Sequence, residues 1–134
     1  MEISFFCENR DYLRVKAHVP VRYRFLADHL GHAAADTTYE GTSRDLSGGG
    51  ILLRGEIPEE GWIPDLLMER ITLDLEIFLP DESQPVKAIA RAAWLDTGRS
   101  AETDEAPALG LKFVEITREA QDRVFQYILH DLLP

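Results

Sequence analysis

The chain has very little cysteine and no long apolar segment. Cys7 is the single cysteine among 134 residues, so it can form neither an internal disulfide nor a zinc site by itself. The longest apolar runs, such as Ile51 to Leu53, span only a few residues, whereas a membrane-spanning helix needs about 20. The first residues also lack the basic start and long apolar stretch of a signal peptide. We therefore expect a cytoplasmic domain without membrane insertion.

Basic residues are also scarce. Fourteen Lys and Arg face 24 Asp and Glu, and the net charge of −10 argues against binding DNA or RNA through a generally basic surface. One segment differs, because residues 10–24 contain five basic residues and a single acid. That segment either binds a small anion locally or pairs with acidic neighbours in the fold. The ordinary composition, 45% hydrophobic and 28% charged, indicates one folded domain.

Strand patterns dominate the chain. Alternating apolar and polar residues or short β-prone runs predict strands near residues 19–26, 37–43, 51–53, 71–79, 86–95 and 109–116. Residues 44–50 have the composition of a turn. After Thr117, a typical N-cap, the apolar residues recur at helical spacing and predict a helix of about four turns. A shorter helix is expected near residues 64–69. These elements suggest a small closed antiparallel barrel with the C-terminal helix packed across an opening.

Two short motifs carry the chemistry of the sequence. Arg10 and Arg14 place two guanidinium groups four residues apart, before the first long predicted strand. Asp45 and Ser47 then place a carboxylate and a hydroxyl two residues apart, on one face of an extended chain, and three glycines follow. Taken alone, the second motif is also typical of a turn whose side chains hydrogen-bond to their own backbone. The two arginines, taken alone, are also typical of solvated surface residues.

Together these motifs resemble the signature of the PilZ domain family, RxxxR followed by [D/N]xSxxG about thirty residues later. Further segments agree with that family, namely RVKAHVPVRYRF, DLSGGGILL, AIARAAWL, ALGLKFVEI and the terminal helix. The resemblance covers residues 8–134 and implies an all-β fold, a six-stranded antiparallel β-barrel with a C-terminal α-helix. We expect a PilZ domain over residues 10–134 and a flexible N-terminal segment over residues 1–9.

The resemblance also implies a ligand, the bacterial second messenger cyclic di-GMP, and a receptor rather than an enzyme. Arginine suits this ligand because a guanidinium pairs with phosphate or guanine and stacks on a purine face. The Asp45 carboxylate suits the N–H groups of a guanine edge, and glycines let a base approach the backbone. The ligand-binding residues predicted in this way are Arg10, Arg14, Asp45, Ser47 and Gly50, with Gly48, Gly49, Arg44 and Arg22 as further candidates.

Several of these residues have alternative roles. Arg44 and Arg22 are also typical of partners for acidic residues, and Trp94 and Phe113 are expected in the core, with a place beside a bound base as the alternative. Asn9, directly before RxxxR, is not basic, and the resemblance then favours one bound ligand over a stacked ligand dimer. No histidine or cysteine pattern predicts a metal site, and we expect no cofactor.

A receptor must also transmit the binding of its ligand to a partner protein. Residues 1–14 lack a strong strand pattern and carry both motif arginines, so we expect ligand to order this segment and thereby signal to a downstream protein. The alternative is that Ile3, Phe5 and Phe6 pack permanently on the barrel or on a second subunit. A second hypothesis is a PilZ-like interaction module that binds no nucleotide. For the free protein we expect a monomer or a weak homodimer.

Overall fold

The computed structural model describes residues 14–27, 37–96 and 107–132. Within these ranges the chain forms seven strands and two helices, with a 3₁₀ turn at Glu60–Trp62. The strands are β1 (Arg14–Lys16), β2 (Pro20–Leu26), β3 (Tyr39–Ser47), β4 (Gly50–Arg54), β5 (Thr72–Ile77), β6 (Val86–Asp96) and β7 (Ala108–Ile116), and the helices are α1 (Ile63–Leu67) and α2 (Arg118–Leu132). Neither helix is long and apolar enough to cross a membrane.

The strands close into a barrel. They are hydrogen-bonded in the order β1-β3-β2-β5-β6-β7-β4, all antiparallel, and β4 pairs back onto β3. Strands β2 to β7 therefore form a closed six-stranded ring, and β1 is an extra strand beside the C-terminal half of β3. The barrel and its C-terminal helix confirm the architecture that the sequence predicts.

Alternation of apolar and polar residues decides which side of each strand faces the core. In β5, Leu73, Leu75 and Ile77 are fully buried, and the residues between them are only half-buried. The apolar stripe of α2 packs on the same core through Ala120, Val124 and Ile128. Thr117 caps this helix as expected, because its Oγ1 accepts a hydrogen bond from the Ala120 N–H at 3.1 Å.

Two element boundaries differ from the sequence prediction. Residues Arg14–Lys16 form a strand, although the pattern there is too short to predict one. Strand β3 continues to Ser47, whereas we predicted a turn from residue 44 onward. The polar residues at the end of β3 remain in a strand because its backbone pairs with β1 on one side and β4 on the other.

The two arginines of β2 are paired with acidic residues within the sheet. On β2, Arg24 forms an ion pair with Asp74, and Arg22 stands opposite Glu76 in the register with β5. The Arg22 Nε also lies 3.7 Å from the Glu40 Oε1. For β2, pairing with acidic neighbours is therefore the correct interpretation of the basic segment.

Tyr23 provides a test of the barrel's dependence on pH. Its buried hydroxyl donates a 2.8 Å hydrogen bond to the Glu56 carbonyl, and burial, with a further contribution from the Glu56 charge, raises the pKa of the phenol. A raised pKa in the folded state favours the neutral phenol, so its contribution is complete below pH about 10 and is lost at higher pH. We expect Tyr23→Phe to lower the free energy of unfolding by about 1 kcal/mol at pH 7.

The same substitution should also remove part of the alkaline loss of stability. Urea unfolding of both proteins between pH 7 and pH 11 measures this, because the difference between the two curves isolates the phenol from other titrating groups. Parallel curves over the whole range would contradict the assigned role of burial.

Candidate functional site

An open cavity of about 290 Å³ lies where β1, β3, β4, β6 and β7 come together on the barrel surface. Arg14 and Asp45 line one side of it, and Trp94 and Lys112 line the other. Its volume is near the lower end of the range for small-molecule sites, about 300–1,000 Å³. Apolar walls with a few converging charged groups are the usual composition of such sites.

The strand register shows why these side chains meet. One continuous row of paired residues crosses five strands, and its members are Lys16, Asp45, Leu52, Gly110 and Trp94. A neighbouring row places Gly50 opposite Lys112. Residues far apart in the sequence therefore share one patch on the outer face, because closure of the barrel brings β3, β4 and β7 side by side.

A β-bulge places Asp45 on this outer face. Ser43 pairs with Leu53, but the next pairing joins Asp45 to Leu52, so Arg44 is the extra residue on β3. The extra residue shifts the in-out alternation by one position. As a result Ser43 and Leu46 are both fully buried, whereas Asp45 is only half-buried and lines the cavity.

The motif turn is fixed by Ser47. Its Oγ accepts hydrogen bonds from the N–H groups of Gly49 at 3.3 Å and Gly50 at 3.1 Å, and lies 3.3 Å from the Gly50 carbonyl oxygen. This is the local turn chemistry that the sequence offered as an alternative. The serine therefore shapes the glycine backbone at the rim of the cavity. A Cβ at Gly50 would lie 2.2 Å from the Leu111 carbonyl oxygen, so only glycine fits this position without a shift.

Trp94 is not a core residue, and the prediction that it would be buried is wrong. A second bulge, between Ala92 and Trp94 on β6, leaves Ala93 without a partner on β7 and turns the indole outward. Trp94 is 48% exposed and lies against Gly110, where a Cβ would be only 2.1 Å from the indole Nε1. Phe113, by contrast, packs partly buried against the core, as expected.

Positive charge outweighs negative charge around the cavity, although the whole chain is acidic. Arg14 and Lys112 line it, Lys16 stands directly opposite Asp45, and both lysines are exposed. Among the described residues of the lining, Asp45 is the single acidic one. The patch can therefore attract an anion and still present one carboxylate as an acceptor for N–H donors.

The structure brings together most, but not all, of the predicted ligand residues. Those that line the cavity are Arg14, Asp45, Ser47, Gly49 and Gly50, and Gly48 belongs to the same turn. Arg44 points to solvent at the bulge, and Arg22 lies over the Phe78 ring, beside a different depression. Arg10 and the segment of residues 1–9 lie outside the described residues.

Sequence reasoning did not assign Lys112 to the site, and it favoured the core for Trp94. The sequence around Lys112 contains no motif that indicates a binding role, because only the pairing of β7 with β4 brings this residue opposite Gly50. The described part of the chain contains no group of three or more His, Cys, Asp or Glu residues that could hold a metal ion.

Comparison with known proteins identifies the family and the fold of the chain. The chain matches the PilZ domain family over residues 8–130. No curated protein sequence matches it. Among solved structures, the PilZ domain with c-di-GMP of YcgR from Escherichia coli is similar with a TM-score of 0.59 and 17% identity, covering 92% of this chain and 90% of that one.

Two longer proteins show the same fold. The Bacillus subtilis inhibitor of motility (MotI/DgrA) has a TM-score of 0.63 at 20% identity, over 92% of this chain and 50% of its own. The Borreliella burgdorferi PlzA protein, solved in complex with c-di-GMP, has a TM-score of 0.58 at 14% identity, over 98% and 56%. The present chain thus spans about half the length of these two relatives. On the family match, which includes nearly all of its residues, the chain belongs to the PilZ domain family.

Proposed function

We propose that this protein is a receptor for cyclic di-GMP. The observation that carries the proposal is the cavity in which Arg14, Asp45 and the Ser47–Gly50 turn meet, at the two motifs that resemble the family signature. The PilZ domain of YcgR and the PlzA protein, whose fold this chain shares, have been solved with c-di-GMP. Family membership and the mixed charge of the cavity support the same ligand.

Each side of the proposed site suits a different part of the ligand. Arg14, together with Arg10, would bind a phosphate or a guanine edge, because guanidinium groups form paired hydrogen bonds to both. Asp45 would accept hydrogen bonds from the N–H groups of guanine. The exposed face of Trp94 offers a surface on which a base can stack, and Lys112 adds a second positive charge.

Titration calorimetry with the purified protein tests this proposal. We expect binding of one cyclic di-GMP per chain, and a thermal upshift, because a ligand that binds only the folded state adds about 2.7 kcal/mol of stability at 100 times its Kd. Cyclic di-AMP is the matched control ligand. It has the same phosphates, but its bases lack the guanine edge that Asp45 is proposed to recognise.

Two results would count against the proposal. Absence of both heat and thermal upshift with excess cyclic di-GMP would refute it and favour the alternative, a PilZ fold that acts through protein contacts alone. Equal affinity for the two cyclic dinucleotides would refute the role of Asp45 while leaving the location of the site intact.

We further propose that ligand binding signals to a partner protein by ordering the N-terminal segment. The support is the position of Arg14 at the cavity: ligand held by Arg14 and Arg10 would tie the residues before β1 to the barrel. Hydrogen exchange measures this directly. We expect amides of residues 3–13, which precede β1, to exchange rapidly in the free protein and slowly with cyclic di-GMP. Equally strong protection in both states would rule out the switch, even with binding established.

A further inference from the structure

The Ser47–Gly50 turn is hydrogen-bonded both to the C-terminal helix and to strand β7. The Gln121 side chain on α2 donates a 2.9 Å hydrogen bond from Nε2 to the Gly48 carbonyl, across 73 residues of sequence. On the other side, the Phe113 N–H on β7 donates to the Gly49 carbonyl, also at 2.9 Å. The two consecutive carbonyls of the turn therefore have fixed partners on two different elements.

The backbone of Gln121 is also held in place. Its backbone N–H donates to the Thr117 carbonyl at 2.9 Å, and the preceding residue, Ala120, is buried against the core. Two residues further along, Arg123 Nε donates to the Glu82 carboxylate at 2.7 Å, which attaches the same helical turn to the β5–β6 loop. Gln121 thus projects from a first turn of α2 that is attached both to the core and to the β5–β6 loop, and its side chain reaches the glycines of the motif.

We infer that Gln121 is a positioning residue that holds the glycine turn in the conformation used for ligand binding, and so couples the cavity to α2. Three successive glycines have large backbone freedom, and fixing them costs conformational entropy. The Gln121 bond offsets part of that cost before ligand arrives. Coupling is reciprocal, so ligand at the turn must also stabilise the start of α2. The ligand-related part of this inference rests on the proposed function.

Gln121→Glu is the sharpest test, because it keeps the size of the side chain but replaces the donor with an acceptor. The helix dipole favours a carboxylate in the first turn of a helix. If Gln121 served only to stabilise α2, the substitution would therefore cause no loss of stability. Gln126→Glu is the matched control, since Gln126 is exposed on the same helix and the charge change is identical.

Two measurements decide the inference. In the free protein, Gln121→Glu should speed hydrogen exchange at the Gly49, Gly50 and Phe113 amides by about three- to tenfold, the range for one net hydrogen bond, whereas Gln126→Glu should leave these amides unchanged. With cyclic di-GMP, the affinity of Gln121→Glu should fall by a similar factor. Ligand should also slow exchange in the first turn of α2 in the wild type but not in this variant.

The outcomes separate this inference from the proposed function. Unchanged exchange at the three amides in Gln121→Glu would overturn the inference, whatever the ligand does. Faster exchange with an unchanged affinity would also overturn it, because the turn would then not need the helix to bind. If the wild type binds no cyclic di-GMP, the proposed function fails, and the exchange rates alone decide whether Gln121 positions the turn.

Discussion

Replacing Arg14 with alanine is expected to weaken cyclic di-GMP binding by about 10- to 150-fold, which corresponds to 1.5–3 kcal/mol for hydrogen bonds to a charged group. Arg14 is exposed, lines the cavity and begins β1, where its backbone pairs with Ser47. Alanine preserves that backbone pairing, so the fold should survive and the loss should appear in affinity. Titration calorimetry and a thermal melt of the same preparation measure the two effects separately.

Arg70→Ala is the matched control for this experiment. Arg70 is an exposed arginine that pairs with Asp65 beside α1 and does not line the cavity. It reports what the loss of one positive charge does to general anion attraction. We expect the affinity of Arg70→Ala for cyclic di-GMP to stay within about twofold of wild type, because an exposed ion pair contributes little. Unchanged affinity in both Arg14→Ala and Arg10→Ala would show that the ligand binds elsewhere.

The barrel could be predicted from the sequence because its strands and helix follow simple periods. Alternation along β5 and the helical spacing after Thr117 each determine one buried face, and the structure has both. Antiparallel neighbours joined by short turns then leave few topologies. Strand ends were less predictable, since the polar end of β3 is kept extended by pairing with β1, which no local pattern indicates.

The candidate site was only partly predictable, and the two bulges explain why. Strict alternation along β3 would put Asp45 on the same side as Ser43, which is fully buried, and only the extra residue Arg44 turns Asp45 outward. The same effect on β6 exposes Trp94, for which apolar character alone favours the core. A bulge depends on the pairing of two strands, so one strand's sequence does not specify it.

The contacts that complete the site are non-local in the same sense. Lys112 meets the glycine turn through the β4–β7 pairing, and Gln121 reaches Gly48 only because α2 packs against the barrel. Neither residue belongs to a recognisable short motif. Arg14 of the RxxxR motif and the DxSxxG motif thus lie at the centre of the candidate site, whereas its far wall and its attachment to the helix follow from the closed topology.

Gly110→Ala is expected to weaken binding about as much as removal of the Trp94 ring itself, by about 5- to 150-fold, the range for loss of one base–aromatic stack. The added methyl group would lie 2.1 Å from Nε1 and 2.4 Å from Cε2 of the indole, far inside van der Waals contact. Because Trp94 is half exposed, its ring should move into solvent rather than force the strands apart. The thermal midpoint should therefore change little while indole fluorescence shifts to longer wavelength.

A double-mutant cycle identifies the cause of that loss. If Gly110→Ala acts by displacing the indole, then Trp94→Ala combined with Gly110→Ala should bind no more weakly than Trp94→Ala alone. Gly61→Ala is the control for the glycine change itself, because an added Cβ there meets no atom within 4 Å. Fully additive losses in the cycle would mean that Gly110 contributes by close approach of the ligand to its own backbone. The cavity would then depend on two separate features of the β6–β7 pair rather than on one aromatic wall.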